Sequence, residues 1–265
     1  MAVQSRNAIQ NNQHCLSVVD MIIIPKRRNF LYDFNPPKGT NCKLLIHSDT
    51  TDGSTTFTDS SGQGHTISVD AVDVEHDVDQ KMFRATSILF DGDSGYLGIN
   101  PHADFEYGTG DFTIDLRGRF ASVASNCVLI SYQDNADHYW TLGYNQTSNW
   151  MYFVAYNSTN LVISLTTSGT FSPVANAWYH FAVLRGWNDD NDKFALTVNG
   201  TAKAVGNYSA SNTMPGGLSL PDKLTIGKKA PSASPYMNGW LDEIRIVKGT
   251  AMWTDGFRSP LGPYS

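Results

Sequence analysis

"GDFTIDLRGRF", residues 110–120, carries the pattern that decides the fold. Phe112, Ile114, Leu116 and Phe120 alternate with Thr113, Asp115, Arg117 and Arg119. A period of two belongs to an extended strand, whose successive side chains point to opposite faces. It predicts a half-buried strand with one face on a core and one face in water.

Runs of the same kind lie on both sides. "KLLIH" (43–47), "ATSILFDG" (85–92) and "GYLGI" (95–99) precede it; "CVLISY" (127–132), "YWTLGY" (139–144), "WMYFVAY" (150–156) and "NLVISLTT" (160–167) follow. "AWYHFAVLRG" (177–186), "KFALTVNGTAKAV" (193–205), "DKLTIG" (222–227) and "GWLDEIRIVKG" (239–249) complete the series. Asn199–Gly200 inside one of them is a hairpin signal, because both residues tolerate positive φ. With about a dozen such runs and no helix of three turns between them, the expected fold is all-β: an antiparallel two-sheet jelly-roll sandwich over residues 43–265.

Composition agrees. Aromatic residues make up 12% and charged residues only 17% of the 265 positions, while Asn, Ser, Thr, Gly and Asp are plentiful; these favour strands and turns over helices. The net charge of −6 argues against a nucleic-acid partner, which needs a basic surface to displace counterions. Cys15, Cys42 and Cys127 match no zinc spacing and read as free structural thiols. No apolar run is long enough to span a bilayer. The start, "MAVQSRNAIQNNQHCLSVVD", lacks the basic and apolar stretches of a signal peptide.

Residues 1–42 show neither period. A polar start, the basic cluster Lys26, Arg27 and Arg28, the aromatics Phe30, Tyr32 and Phe34, and the stop at Pro36–Pro37 read either as a disordered tail or as a non-globular arm that becomes ordered by docking on a partner, with the docking arm as the expectation.

Four blocks in order then resemble a known family. "SDTTDGSTTFTDSSGQGHTISV", "SILFDGDSGYLGINPHADFEYGTGDFTID", "WYHFAVLRG … LTVNG" and "GWLDEIRIVKGTAMWTDGFRSPLGPY" are similar to the laminin-G-like, concanavalin-A-like jelly rolls, over roughly residues 44–264. That resemblance implies a sandwich that serves many functions. It also implies a phage virion component, a head decoration or fibre protein at the virion surface, assembled in the host cytoplasm. In that reading residues 1–42 contact capsid or tail proteins, and the protein is a homo-oligomer. The alternatives are a carbohydrate-binding module of a tail or bacterial surface adhesin and a glycoside hydrolase.

The superfamily includes retaining glycosidases, which need two carboxylates about 5 Å apart on alternate positions of one strand. Asp242 and Glu243 are adjacent, so regular alternation sends them to opposite faces and leaves Glu243 beside Arg245 as a structural pair. Asp115 with Arg117 reads the same way, as a carboxylate beside a cation on a wet face. The protein is therefore expected not to be an enzyme.

The resemblance further implies one structural Ca²⁺ near the "FDGDSG" turn, with Asp91, Asp93 and Asp242 as ligands; Asp before Gly is equally well explained by turn chemistry. "VDVEHDVDQK" reads as a solvated acidic loop, and His47, His65 and His180 as isolated histidines. For sugars, whose C–H faces pack on rings while their hydroxyls seek planar partners, "SYQDNADHYW" offers Asp134, Asn135, His138, Tyr139 and Trp140. Trp150, Trp187 and Trp253 are further aromatic candidates, each equally suited to packing.

Overall fold

The computed structural model describes residues 36–70, 73–135, 137–209, 214, 223–229 and 235–265, without the side chains of Asp134 and Asn135. The docking residues expected at Lys26, Arg27, Arg28, Phe30, Tyr32 and Phe34 lie outside these.

Among the described residues the chain forms fifteen strands. The first five are β1 (Cys42–Ile46), β2 (Ile67–Val69), β3 (Val74–Asp77), β4 (Ser87–Asp91) and β5 (Leu97–Ile99). Next come β6 (Phe112–Phe120), β7 (Cys127–Asn135), β8 (His138–Asn145), β9 (Trp150–Asn157) and β10 (Asn160–Thr166). The last are β11 (Trp178–Arg185), β12 (Lys193–Val198), β13 (Thr201–Asn207), β14 (Lys223–Ile226) and β15 (Asn238–Lys248). They build two antiparallel sheets, as the alternating runs predict. The first runs β13-β12-β11-β6-β15-β4-β3, with β1 also paired to β15; the second runs β10-β9-β8-β7-β14-β5-β2. No helix among the described residues is long and apolar enough to cross a membrane.

The sheets close on an aromatic core. Phe112, Phe120, Phe181 and Phe194 of the first face Tyr132, Trp140, Tyr144 and Phe153 of the second, all buried. Phe120 and Tyr144 meet across the sandwich at 5.8 Å between ring centroids. Asn199 and Gly200 turn β12 into β13 with φ of 50° and 78°, the conformation that an Asn-Gly hairpin provides. Cys42 and Cys127 are buried free thiols.

Two expectations fail here. The "VDVEHDVDQK" stretch is not simply a solvated loop: its centre is β3, the edge of the first sheet, with Val74 and His76 buried. His76 earns its place by stacking on Phe57 at 4.3 Å and bonding Ser48 Oγ through Nδ1 at 2.6 Å. The second failure concerns the polar face of β6, which is not wet. Asp115 and Arg117 are 0% and 4% exposed because the closing segment, residues 250–265, lies across that face. Trp253 and Phe257 pack on Ala182, Leu184, Trp187 and Ala195 there, and Arg117 Nη2 donates to the Pro260 carbonyl. The segment's end is fastened to the start of the sandwich: Lys38 N donates to Ser265 O and Ser265 N to Pro36 O, both at 3.0 Å.

A bulge in β15 sets what lies beneath. The register with β6 slips between Asp242 and Arg245, and Glu243 takes φ of 49°. One extra residue reverses the phase of alternation. Leu241, Ile244 and Ile246 therefore all join the core, while Asp242 and Arg245 stand opposite Arg117 and Asp115 of β6.

Candidate functional site

Alternation in β8 and β9 leaves a second set of aromatics on the outer face of the second sheet. Trp140, Leu142 and Tyr144, with Met151, Phe153 and Ala155, fill the core. Tyr139, Thr141 and Asn145 of β8 and Trp150, Tyr152, Val154 and Tyr156 of β9 therefore point outward. Together with Thr166 and Lys229 they line a groove of about 300 Å³. Tyr139 and Tyr156, opposite one another across the two strands, stack at 4.9 Å. Lys229 Nζ sits 3.3 Å above the Tyr139 ring, and burial lowers its pKa. Tyr152 lies flat across Gly143, where a Cβ would come within 2.7 Å of its hydroxyl. Burial pushes the Tyr152 phenol up to about 12, so it remains a hydrogen-bond donor at any physiological pH. The groove thus offers ring faces, a hydroxyl, an amide and one cation on a rigid sheet.

Of the residues expected to hold a sugar, Tyr139 alone lines this groove. Trp140 is 0% exposed and packs between Tyr107, Tyr132 and Phe153, so its ring has no free face and the expectation for it is corrected. His138 Nε2 lies 2.8 Å from Asn157 Oδ1 and 3.0 Å from Ser158 Oγ, at the end of the β8–β9 pair. The side chains of Asp134 and Asn135 lie outside the described residues. Trp150 is only a general aromatic candidate in the sequence, and Tyr152 and Tyr156 are the aromatics missed; their alternation with Met151, Phe153 and Ala155 in β9 was the available signal.

Asp91, Asp93 and Asp242 do not converge. Antiparallel pairing sets Asn238, not Asp242, opposite Asp91, and four strand residues span roughly 13 Å. Asp91 Oδ1 accepts the amides of Asp93, Ser94 and Gly95 at 3.0–3.3 Å, which is turn chemistry. Asp93 lines a separate polar hollow with Ser122, Ser125, Asn126 and Tyr236. Among the described residues, the side chains grouped so that they could hold a metal ion are His65, His102 and Asp104.

Under the closing segment the charges form a clasp. Arg245 Nε donates to Asp115 Oδ1 at 2.8 Å, His180 Nε2 lies 3.0 Å from Oδ2, and the Tyr264 hydroxyl donates to the same oxygen. The partner of Arg245 is thus Asp115, not Glu243. Glu243 meets His47 Nδ1 at 2.7 Å and accepts the Tyr264 amide at 2.7 Å. Burial raises Asp115, but Arg245 and His180 outweigh it and hold the carboxyl at about 2. Burial and the charge of Arg117 depress His180 to about 4 against the pull of Asp115. Asp242 is lifted well above the carboxylate range by burial and by Glu243. Ser259 Oγ stands 3.3 Å from His180 Nδ1, so Ser259, His180 and Asp115 fall in the order of a hydrolytic relay. The imidazole, however, is 1% exposed, with the Trp253 and Phe257 rings edge-on to it at 5.6 and 5.9 Å. A neutral, sealed imidazole fits a clasp and not a base that must reach substrate.

A family model described as the concanavalin A-like lectin/glucanases superfamily matches residues 91–254. A comparison with curated proteins gives no match. Among solved structures the chain is similar to one reported with the finding that cell entry of botulinum neurotoxin type C depends on interaction with two ganglioside molecules. The identity is 16% and the TM-score 0.56, covering 80% of this chain and 49% of that one. It is also similar to the binding domain of botulinum neurotoxin DC in complex with SialylT, at 14% identity and TM-score 0.56, over 80% and 49% of the two chains. The same binding domain in complex with rat synaptotagmin II gives 14% and 0.55 over the same shares. The chain spans about half the length of these solved structures, and the likeness is one of fold. The family model covers well over half of the chain, and the two sheets have the matching architecture: the chain belongs to the concanavalin A-like lectin/glucanases superfamily.

Proposed function

We propose that the protein is a non-enzymatic adhesion module that holds glycans in the groove of β8 and β9. The observation that carries this reading is the groove itself: half-buried rings of Tyr139, Trp150, Tyr152 and Tyr156 beside Thr141, Asn145 and Lys229. Sugar C–H faces pack on aromatic faces, while hydroxyl groups exchange water for fixed donors and acceptors. Lys229 adds a preference for sugars that carry a carboxylate. Gangliosides and SialylT, named for the neurotoxin structures, support the same choice of ligand class.

In this proposal the module is displayed at the surface of a phage virion, as a head decoration or fibre component, with residues 1–42 docked on capsid or tail proteins and several copies per particle. The resemblance of the four sequence blocks to virion jelly rolls supports that setting.

Surface plasmon resonance against neutral and sialylated oligosaccharides tests the groove. Trp150→Ala and Tyr156→Ala are each expected to weaken binding at least tenfold without shifting thermal unfolding. Binding to no glycan, or binding indifferent to both substitutions, overturns the reading. Deletion of residues 1–42 is expected to abolish incorporation into particles; unchanged incorporation overturns the docking role and leaves the groove standing.

A further inference from the structure

His65 and His102 are 37 positions apart in sequence, yet strand register makes them neighbours. β2 pairs with β5 antiparallel, Ile67 opposite Ile99. Extending the pairing outward brings His65, two residues before β2, up to the short 3-10 turn Ala103–Phe105 that follows β5. The two imidazoles meet edge to face at 4.8 Å, and Asp104 in the turn completes the group.

The contacts within this group are unusual for a hydrogen-bonded cluster. His65 Nε2 lies 3.2 Å and His102 Nδ1 3.0 Å from the same oxygen, Asp104 Oδ2. His65 Nε2 and Asp104 Oδ2 are both buried atoms without a hydrogen-bond partner. The His65 side chain is 8% exposed, so no bulk water serves that nitrogen. His102 Nδ1 accepts the Asp104 amide at 3.2 Å, so this nitrogen carries no proton, and its single lone pair would exchange that long bond for one to an ion. Lys43 Nζ, at 3.1 Å, holds the other oxygen, Oδ1, and leaves Oδ2 to the imidazoles. Three atoms able to donate an electron pair therefore converge, and no hydrogen bond joins His65 Nε2 to Asp104 Oδ2. Such a grouping is stabilised by a cation at its centre.

We infer that His65, His102 and Asp104 form a zinc-binding site that staples β2, the edge strand of the second sheet, to the turn after β5. Two imidazole nitrogens and one carboxylate oxygen suit zinc and its neighbours in the first transition series, whereas calcium takes oxygen ligands. Bond lengths of about 2.0–2.2 Å place the ligand atoms of a tetrahedral ion ~3.3 Å apart. The observed 3.0 and 3.2 Å approach two of those edges, and with all three atoms within 4.8 Å of one another a turn of the exposed His102 ring would close the third. His102, whose side chain is 55% exposed, leaves a path for the ion and a fourth position for water.

The test uses the untagged full chain, stripped of metal with a chelator and titrated with Zn²⁺ by calorimetry, with Co²⁺ as a spectroscopic probe. One equivalent bound through this site, a rise in thermal midpoint on adding zinc and the visible bands of tetrahedral cobalt are expected. His102→Ala should weaken zinc binding at least tenfold and abolish the zinc-dependent rise, an effect read separately from any small fall in the metal-free midpoint as the cap on the Asp104 amide is lost. His65→Gln should do the same. Absence of zinc binding, or binding of equal affinity in both variants, overturns the site.

Discussion

The two outer faces of this sandwich invert the usual reading of polarity. On the first sheet Asp115, Arg117, His180 and Arg245 stand where solvent would be expected, and all are buried. On the second sheet Tyr139, Trp150, Tyr152 and Tyr156 stand on the outer face, and all keep part of their surface open. The difference lies in what covers each face. The closing segment lies over the first and supplies Trp253, Phe257, Tyr264 and backbone carbonyls that neutralise or cap each charge. An alternating pattern therefore identifies which residues share a face, but not whether that face is wet.

The sharpest way to break the comparison is to remove the centre of the clasp. Asp115→Ala leaves Arg245 and His180 buried without their carboxylate, and a loss of about 3–5 kcal/mol in urea unfolding is expected. A loss below 1 kcal/mol would show that the covered face does not depend on its charges. Next in size is a pair of tryptophans. Trp140→Ala opens a core cavity and should cost about 3–5 kcal/mol. Trp150→Ala, ten residues on but on the outer face, should leave stability within about 0.5 kcal/mol while weakening glycan binding.

The most gradual effect is a slope in pH. His180 has a folded pKa of about 4 against 6.5 for the free side chain. Below 6.5 the unfolded chain takes up a proton that the folded one refuses, so stability should fall as pH drops toward 4, by up to ~3 kcal/mol. Asp242 has the opposite sign: raised in the fold, it makes stability fall as pH climbs above the range where the unfolded carboxyl ionises. Denaturant midpoints across pH should lose the rise between about pH 4 and 6.5 in His180→Gln and the fall that begins above about pH 4 in Asp242→Asn.

The sequence made the strands legible because each run carries its own period, and the Asn199–Gly200 turn because its conformation is local. The site was less so. Trp140 and Trp150 look alike in composition, and only their parity with Leu142 and Met151 separates core from groove. The bulge escaped because Glu243, not a glycine, takes the positive φ, and with it went the supposed Glu243–Arg245 pair. Asp242 failed to join Asp91 for a related reason, since register across β4 and β15 decides that distance. His65 reads as isolated in the sequence because its approach to His102 depends on pairing between strands far apart in sequence.

The position of β15 has a bearing on synthesis. This late strand does not lie at an edge: it separates β6 from β4 and also pairs with β1, joining residues near 44 to residues near 246. Tyr264 then supplies the last two bonds of the clasp. A chain emerging from the ribosome in order holds β6 and β4 with open ladders until β15 is free of the exit tunnel. Closure is therefore of high contact order, which makes it slow and leaves unpaired strand edges exposed to neighbouring chains in the meantime.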